Sequence, residues 1–547
     1  MDKITRFFIG CGILVAFVSC GLSRKVSTDD PSNPDLKDKF LAFQLTTEPE
    51  YLDPGFATGV PETHALLSLF SGLVQYPQKD GPVTPEMATG WEISEDKKTY
   101  TFPIREEARW TDGRPVTAHD FVYSWERVLN PSSGAKYAFA MYPIRNARDY
   151  NAGKIKDPAR LGFRALDDRT LQITLESPTP YFLDLLWYTA FKPVPRWAVE
   201  QHGPRWTRPE NIVSNGPFRM KSWTPYQEIT LVKNGDYYNA ANVKLPGIVF
   251  NPVEEKETAL KLFEQGKLDV LVEPPVMKAA TLIRRPGYVQ TPFLGSYFYR
   301  IQTSRPPLND VRVRQALSLS VNRDEIVNRY LQGTMIPTHS IIPEGIKDYR
   351  PAAGLGFDPE RAKKLLAEAG YADPSTFPKV TIHYNTDDRH KLIAQVIQQM
   401  WKKYLGIGVE LWNEEWKSYM KTQNMKDFQI SRSGWIADYP DPMTFLDMWT
   451  SDSTMSHTGW KNEEYDGLIR RATRESDQRK RFALLQKAEQ ILIEEASVIP
   501  IYIYTKIYAL KPYVKGYFPN LQDVHRLDAV YLESAKTAAG GDLAGQD

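Results

Sequence analysis

The chain has 547 residues, 42% hydrophobic and 25% charged, with 68 basic against 67 acidic side chains. That balance belongs to an ordinary globular protein with room for two or three domains of roughly 100–200 residues, and its near neutrality excludes the basic face of a nucleic-acid binder. The only cysteines are Cys11 and Cys20, which excludes a disulfide framework and a cysteine metal site from the body of the chain.

The first element is a leader. Lys3 and Arg6 precede an apolar run from Phe7 to Val18, the length of a signal-peptide core and too short to span a bilayer. The run ends at Phe17-Val18-Ser19-Cys20, which resembles the lipobox of bacterial lipoproteins, with Phe17 where leucine is usual. Residues 1–20 are therefore expected to be a lipoprotein signal peptide, with Cys20 as the lipidated residue and anchor; a plain secretory signal cut nearby is the alternative. Removing residues 1–19 leaves 66 basic and 66 acidic side chains. Residues 21–37 are polar and carry two prolines, the composition of a flexible tether.

Beyond the tether, strands are expected at 40–45, 99–102, 170–175, 229–232 and 380–383. Amphipathic helices are expected at 359–368 (PERAKKLLAE, stopped by Gly370), 390–403 and 479–495. Strands alternating with helices indicate an α/β fold. Residues 534–547, small and polar with Gly540-Gly541, read as a disordered tail. The chain contains no GxSxG, GxxxxGK[ST], HExxH or GxGxxG, and its eight histidines show no metal-ligand spacing on a helix. Nothing of catalytic pattern supports an enzyme, and no cofactor is called for.

An ordered series of segments carries a family likeness: EMATGW (86–91), TYTF (99–102), ARWTDGRPVTA (108–118), DFVYSW (120–125), NIVSNGPF (211–218), NDVRVRQAL (309–317) and GWIADY (434–439). The series resembles the family 5 extracellular solute-binding proteins that serve peptide ABC importers, over about residues 40–530. The resemblance implies an α/β, bilobed type II periplasmic binding protein with a hinge and an extra inserted domain. Lobe 1 would combine domain I (38–70, 196–294 and 506–533) with the inserted domain II (71–195), and domain III (295–505) would form lobe 2. It further implies a monomeric receptor of the periplasm or cell surface that closes on short peptides and delivers them to ABC permease and ATPase subunits.

Residue roles follow from the same resemblance. Asp438 matches the family aspartate that pairs with the peptide's N-terminal ammonium. Gly434, Trp435 and Ile436 match the segment that hydrogen-bonds the peptide backbone, and Val60 the opposing contact. Tyr137 matches a residue near the ligand's N-terminus, while Trp416 and Tyr504 match pocket walls. Arg432 and His390 match cations that take the terminal carboxylate of ligands of different length. The pattern is broken at Gln423, where the family has an arginine, near Tyr330-Leu331, where it has a lysine, and at Glu273, a neutral pocket position in the family. Those departures leave length preference open. Competing readings are a receptor of the same family for murein peptides or another solute, a secreted hydrolase, and a binding protein without an importer.

Overall fold

The computed structural model describes Leu36 and residues 38–533 apart from position 454. The expected signal peptide, Cys20, most of the tether and the tail lie outside the described residues.

The centre of the molecule is an 11-stranded sheet. Its order runs Val409–Glu414, Val380–Asn385, Ile430–Ile436, Tyr288–Ile301, Val498–Leu510, Val270–Leu271, Leu41–Leu45, Gly247–Pro252, Glu228–Lys233, Phe218–Thr224, with Ile336–Pro337 on the side. Leu41–Leu45 pairs in parallel with Gly247–Pro252 and is almost wholly apolar and buried, as a strand covered on both faces must be. Val380–Asn385 likewise pairs in parallel with Val409–Glu414. Apart from the two joining strands, one half of the sheet thus draws on residues before 272 and the other on residues after 335.

Two long antiparallel strands join the halves. Tyr288–Ile301 pairs with Val498–Leu510 along its length, and the register shifts between Pro292 and Ser296 and again between Tyr297 and Phe298. Pro292 cannot donate a ladder hydrogen bond, and a bulge bends a strand locally. Residues 288–292 therefore belong to the first half and 296–300 to the second. Adjacent side chains of the strand point to opposite faces, so Phe298 and Tyr297 enter two different cores.

Residues between the first-half strands form a separate four-stranded sheet, ordered Glu92–Ile93, Thr99–Pro103, Thr170–Thr174, Phe163–Asp167. Helix Ala118–Leu129 packs on it behind a Thr117/Asp120 capping box, burying Phe121 and Trp125. Every expected strand is present within a residue or two. The expected helices occur as Pro359–Leu366, Asp388–Leu405 and Gln478–Glu494. The first continues as one wider turn in which Gly370 takes φ +98°, the left-handed stop its position required.

Candidate functional site

Strand Ile430–Ile436 organises the site. One edge pairs with Tyr288–Ile301, placing Gly434 opposite Tyr297, Trp435 opposite Ser296 and Ile436 opposite Gly295. The other edge meets Val380–Asn385 only at Ile430 and Ser431. From Arg432 onward that edge has no strand partner among the described residues, which leaves unpaired main-chain groups available to an added strand. Gly434 is needed here because a Cβ would stand 2.6 Å from the Tyr504 hydroxyl.

Asp438 follows the strand at the crossing between the halves. Ala437 N–H donates to Leu294 O at 2.8 Å. The Asp438 carbonyl accepts from the Tyr188 hydroxyl and from Gln522 Nε2, and its N–H reaches Thr444 Oγ1 at 3.4 Å. The backbone is thus held by three segments far apart in sequence. The carboxylate, by contrast, has no cationic partner among the described residues, and burial alone pushes it up to about 6. Turn capping belongs to Asp441, which accepts from Met443 N–H at 2.9 Å. Asp441 also holds Arg481 through two bonds of 2.6 and 2.7 Å, so that guanidinium of the same cavity is already spent.

The Asp438 carboxylate opens into a cavity of about 1180 Å³, walled by Tyr137, Tyr181, Tyr188, Trp435 and Tyr439 and also lined by Asp447. Tyr181 and Tyr439 stack face to face at 4.0 Å, closing the wall between the inserted segment and the second half. A partly desolvated carboxylate among aromatic faces attracts a cation through both its charge and the ring quadrupoles.

At the other end of the open edge lies Arg432. Its guanidinium donates to Asn385 Oδ1 at 3.1 Å and sits 5.1 Å over the Tyr297 ring, with no carboxylate partner among the described residues. Its Nε is buried and unbonded. His390 is its neighbour, 3.3 Å from the Tyr297 hydroxyl through Nδ1. Burial, then the Arg432 charge, push His390 down to about 3, so the imidazole is neutral at physiological pH. The two groups expected to serve ligands of different length therefore sit together, and only Arg432 is charged. Gln423 lies behind the strand, where Nε2 donates to Arg432 O at 2.9 Å and to the Tyr419 hydroxyl at 2.6 Å.

The remaining candidates scatter. Tyr137, Trp435 and Asp438 share the cavity; Tyr504 joins Arg432, His390 and Gly434. Val60, Ile436 and Trp416 are each about half exposed, and Trp416 stacks on Tyr419 at 5.8 Å. Glu273 is exposed and paired with Lys256 at 2.7 Å. Arg329, nearest to the absent lysine, is bound to Glu325 at 3.2 Å. Asp447 and Tyr188 belong to the site without any signal in their own sequence; only the short helix Met443–Leu446 and the turn after it bring Asp447 round to the cavity.

The hydrolase reading finds a Ser–His–Glu set and no use for it. His383 Nε2 lies 2.8 Å from Glu414, and Nδ1 lies 3.2 Å from Ser431 Oγ. Both His383 and Ser431 are fully buried, and Gln423 donates to the serine oxygen at 2.8 Å. The Ser431 hydroxyl therefore has no exposed surface in this structure. No cluster of three or more metal-ligating side chains occurs among the described residues.

The model of the bacterial extracellular solute-binding proteins, family 5 (middle), matches residues 82–457. The chain is 38% identical to the periplasmic oligopeptide-binding protein OppA of Salmonella typhimurium over 549 residues, covering 98% of this chain and 99% of the relative. It is 35% identical to the periplasmic murein peptide-binding protein MppA of Escherichia coli, covering 95% and 98%. Among solved structures, the unliganded open form of the murein tripeptide-binding protein MppA superposes with a TM-score of 0.83 at 34% identity, covering 92% of this chain and 99% of that one. The architecture is thus the α/β type II periplasmic binding fold, with the two strands through Pro292–Ser296 joining its halves. The chain belongs to the bacterial extracellular solute-binding proteins of family 5.

Proposed function

We propose that this protein is an extracytoplasmic receptor that captures short peptides between its lobes and delivers them to an ABC importer. The observation that carries the reading is the lone Asp438 carboxylate in an aromatic cavity at the end of an open strand edge. A ligand's α-ammonium supplies the cation that this carboxylate lacks. The ligand backbone extends antiparallel along 434–436, with Val60 approaching from the other lobe. The ligand's terminal carboxylate faces Arg432, whose planar fork suits two parallel bonds. Backbone pairing reads no sequence, so side chains vary while the two termini are recognised. From Asp438 to Arg432 is six residues, at most about 20 Å at ~3.3 Å per residue, which bounds the ligand to a short peptide.

The domain partition given above (38–70, 196–294 and 506–533; 71–195; 295–505) is part of this proposal. So are export by residues 1–20, lipidation at Cys20 with residence at the periplasmic or outer face of a membrane, and action as a monomer beside permease and ATPase subunits. The match to an open form supports closure as the step that reports occupancy to the importer. The murein-peptide relative supports a second reading in which the ligand is a cell-wall peptide with a free α-amine. Calorimetric titration with Ala-Ala-Ala, its N-acetyl form and a murein tripeptide tests both readings. Binding of the free tripeptide, abolished by acetylation, is expected. Equal binding of the acetylated form removes the Asp438 assignment, and exclusive binding of the murein tripeptide selects the second reading.

A further inference from the structure

The cavity at Asp438 is larger than one ammonium requires. Its volume of about 1180 Å³ accommodates a whole side chain beside the amine, since ligand pockets commonly measure roughly 300–1,000 Å³. Its charges are also unevenly paired. Arg481 is committed to Asp441 at 2.6 and 2.7 Å, and Arg148 lies over the Tyr142 ring at 5.3 Å. Asp149 pairs with Lys154 at 3.1 Å, and Glu176 accepts Asn146 N–H at 2.7 Å. Asp452 is exposed. Of the carboxylates that line the space, Glu176, Asp438, Asp447 and Asp452 have no cationic partner among the described residues, and Asp447 is the one on which the Asp438 charge acts.

Their placement is linked. Thr444 Oγ1 bonds Asp438 N–H at 3.4 Å and Trp435 Nε1 at 3.3 Å, and Asp447 lies three residues further along the same helical turn. Residues three apart on a helix share a face, so Asp447 lies on the Thr444 side of the turn, and both acids line the same cavity. Burial first and the Asp438 charge second push Asp447 up to about 7, and one acid therefore raises the cost of ionising the other. A single ammonium satisfies only one of them. A ligand with a second cation a few bonds away satisfies both.

We propose that Asp447 is a specificity-determining residue that binds the side-chain cation of a basic first residue, so the receptor prefers peptides beginning with lysine, ornithine or arginine. This rests on the reading that Asp438 takes the α-ammonium. The test is calorimetric titration of Lys-Ala-Ala, norleucine-Ala-Ala, Ala-Lys-Ala and N-acetyl-Lys-Ala-Ala into the wild-type protein and into Asp447→Asn. Norleucine keeps the stem and removes the charge, while Ala-Lys-Ala keeps the charge and moves it. The wild type is expected to bind Lys-Ala-Ala about tenfold more tightly than either comparison peptide, a difference of ~1.4 kcal/mol. Asp447→Asn is expected to bring the three within about threefold of one another. Equal wild-type affinities for the lysine and norleucine peptides, or a preference that survives in Asp447→Asn, overturn the inference. The wild-type comparison stands even if the variant fails to fold. If acetylation leaves binding intact, the ammonium reading falls and this one with it; if acetylation abolishes binding while lysine and norleucine peptides bind alike, only this inference falls.

Discussion

The two ends of the open strand edge are built on opposite plans. At Asp438 the backbone is fixed and the charge is left alone: Leu294, Tyr188 and Gln522 hold the main chain, and nothing positive meets the carboxylate among the described residues. At Arg432 the charge itself is fixed: Asn385 and the Tyr297 ring hold the guanidinium, and Gln423 and Tyr419 hold the carbonyl behind it. The first end costs the empty protein stability and is relieved only by a ligand. The second is already partly satisfied. The comparison teaches where the uncompensated cost lies: an unpaired desolvated carboxylate is an open requirement for a cation, whereas a charge already held by its neighbours is not. His390 makes the same point in reverse, since it occupies the expected position and carries no charge.

The sharpest way to break the comparison is at the lone charge. Asp438→Ala is expected to lower peptide affinity by about 3–5 kcal/mol, because it leaves a buried ammonium unpaired. Calorimetry with a free-amine tripeptide checks this, and a loss below tenfold would show that the ammonium lies elsewhere. Arg432→Gln is expected to cost less, about 1.5–3 kcal/mol, the range for a charge-assisted hydrogen bond. A C-terminally amidated peptide should show the same loss with the wild type and little further loss with the variant.

Acidity separates the ends next. Asp438 must be ionised to hold an ammonium, and it is pushed up to about 6 in the empty cavity. Affinity should therefore fall about tenfold between pH 7 and pH 5, while Arg432 stays charged throughout. Asp438→Asn should abolish that slope, which isothermal titration across the range would read. Stability runs the other way. Between its unfolded value and about 6, Asp438 binds more protons folded than unfolded, so the ligand-free protein loses stability as pH rises through that window. The smallest effect follows from this. Asp438→Asn should raise the melting temperature of the ligand-free protein at pH 7.5 by about 1–3 °C, removing a charge whose burial is unfavourable, as functional sites commonly trade stability for activity. A melting temperature that falls would show that the carboxylate has a partner after all.

Much of this was legible before folding. The strand-like runs at 40–45 and 380–383, the amphipathic spacing of 390–403 and the stop at Gly370 are local signals, and they placed elements within a residue or two. The ordered segments from EMATGW to GWIADY placed the edge strand and Asp438. The role of Gln423 was not legible as written: its position suggested a missing cleft cation, yet the side chain points behind the strand and supports Arg432. Glu273 was ambiguous in sequence, and its pairing with Lys256 requires two segments to meet.

By itself the sequence determined the elements and the export-type leader pattern, because these depend on residue type and short-range spacing, and its family resemblance singled out Asp438, Arg432 and His390 as candidates. Only the tertiary structure decided which of those groups are charged and which are free. Arg481 had to find Asp441, Tyr188 had to reach the Asp438 carbonyl, and Arg432 had to settle beside His390. Each is a meeting of segments far apart in the chain, and the electrostatics of a cavity is set by what is buried together.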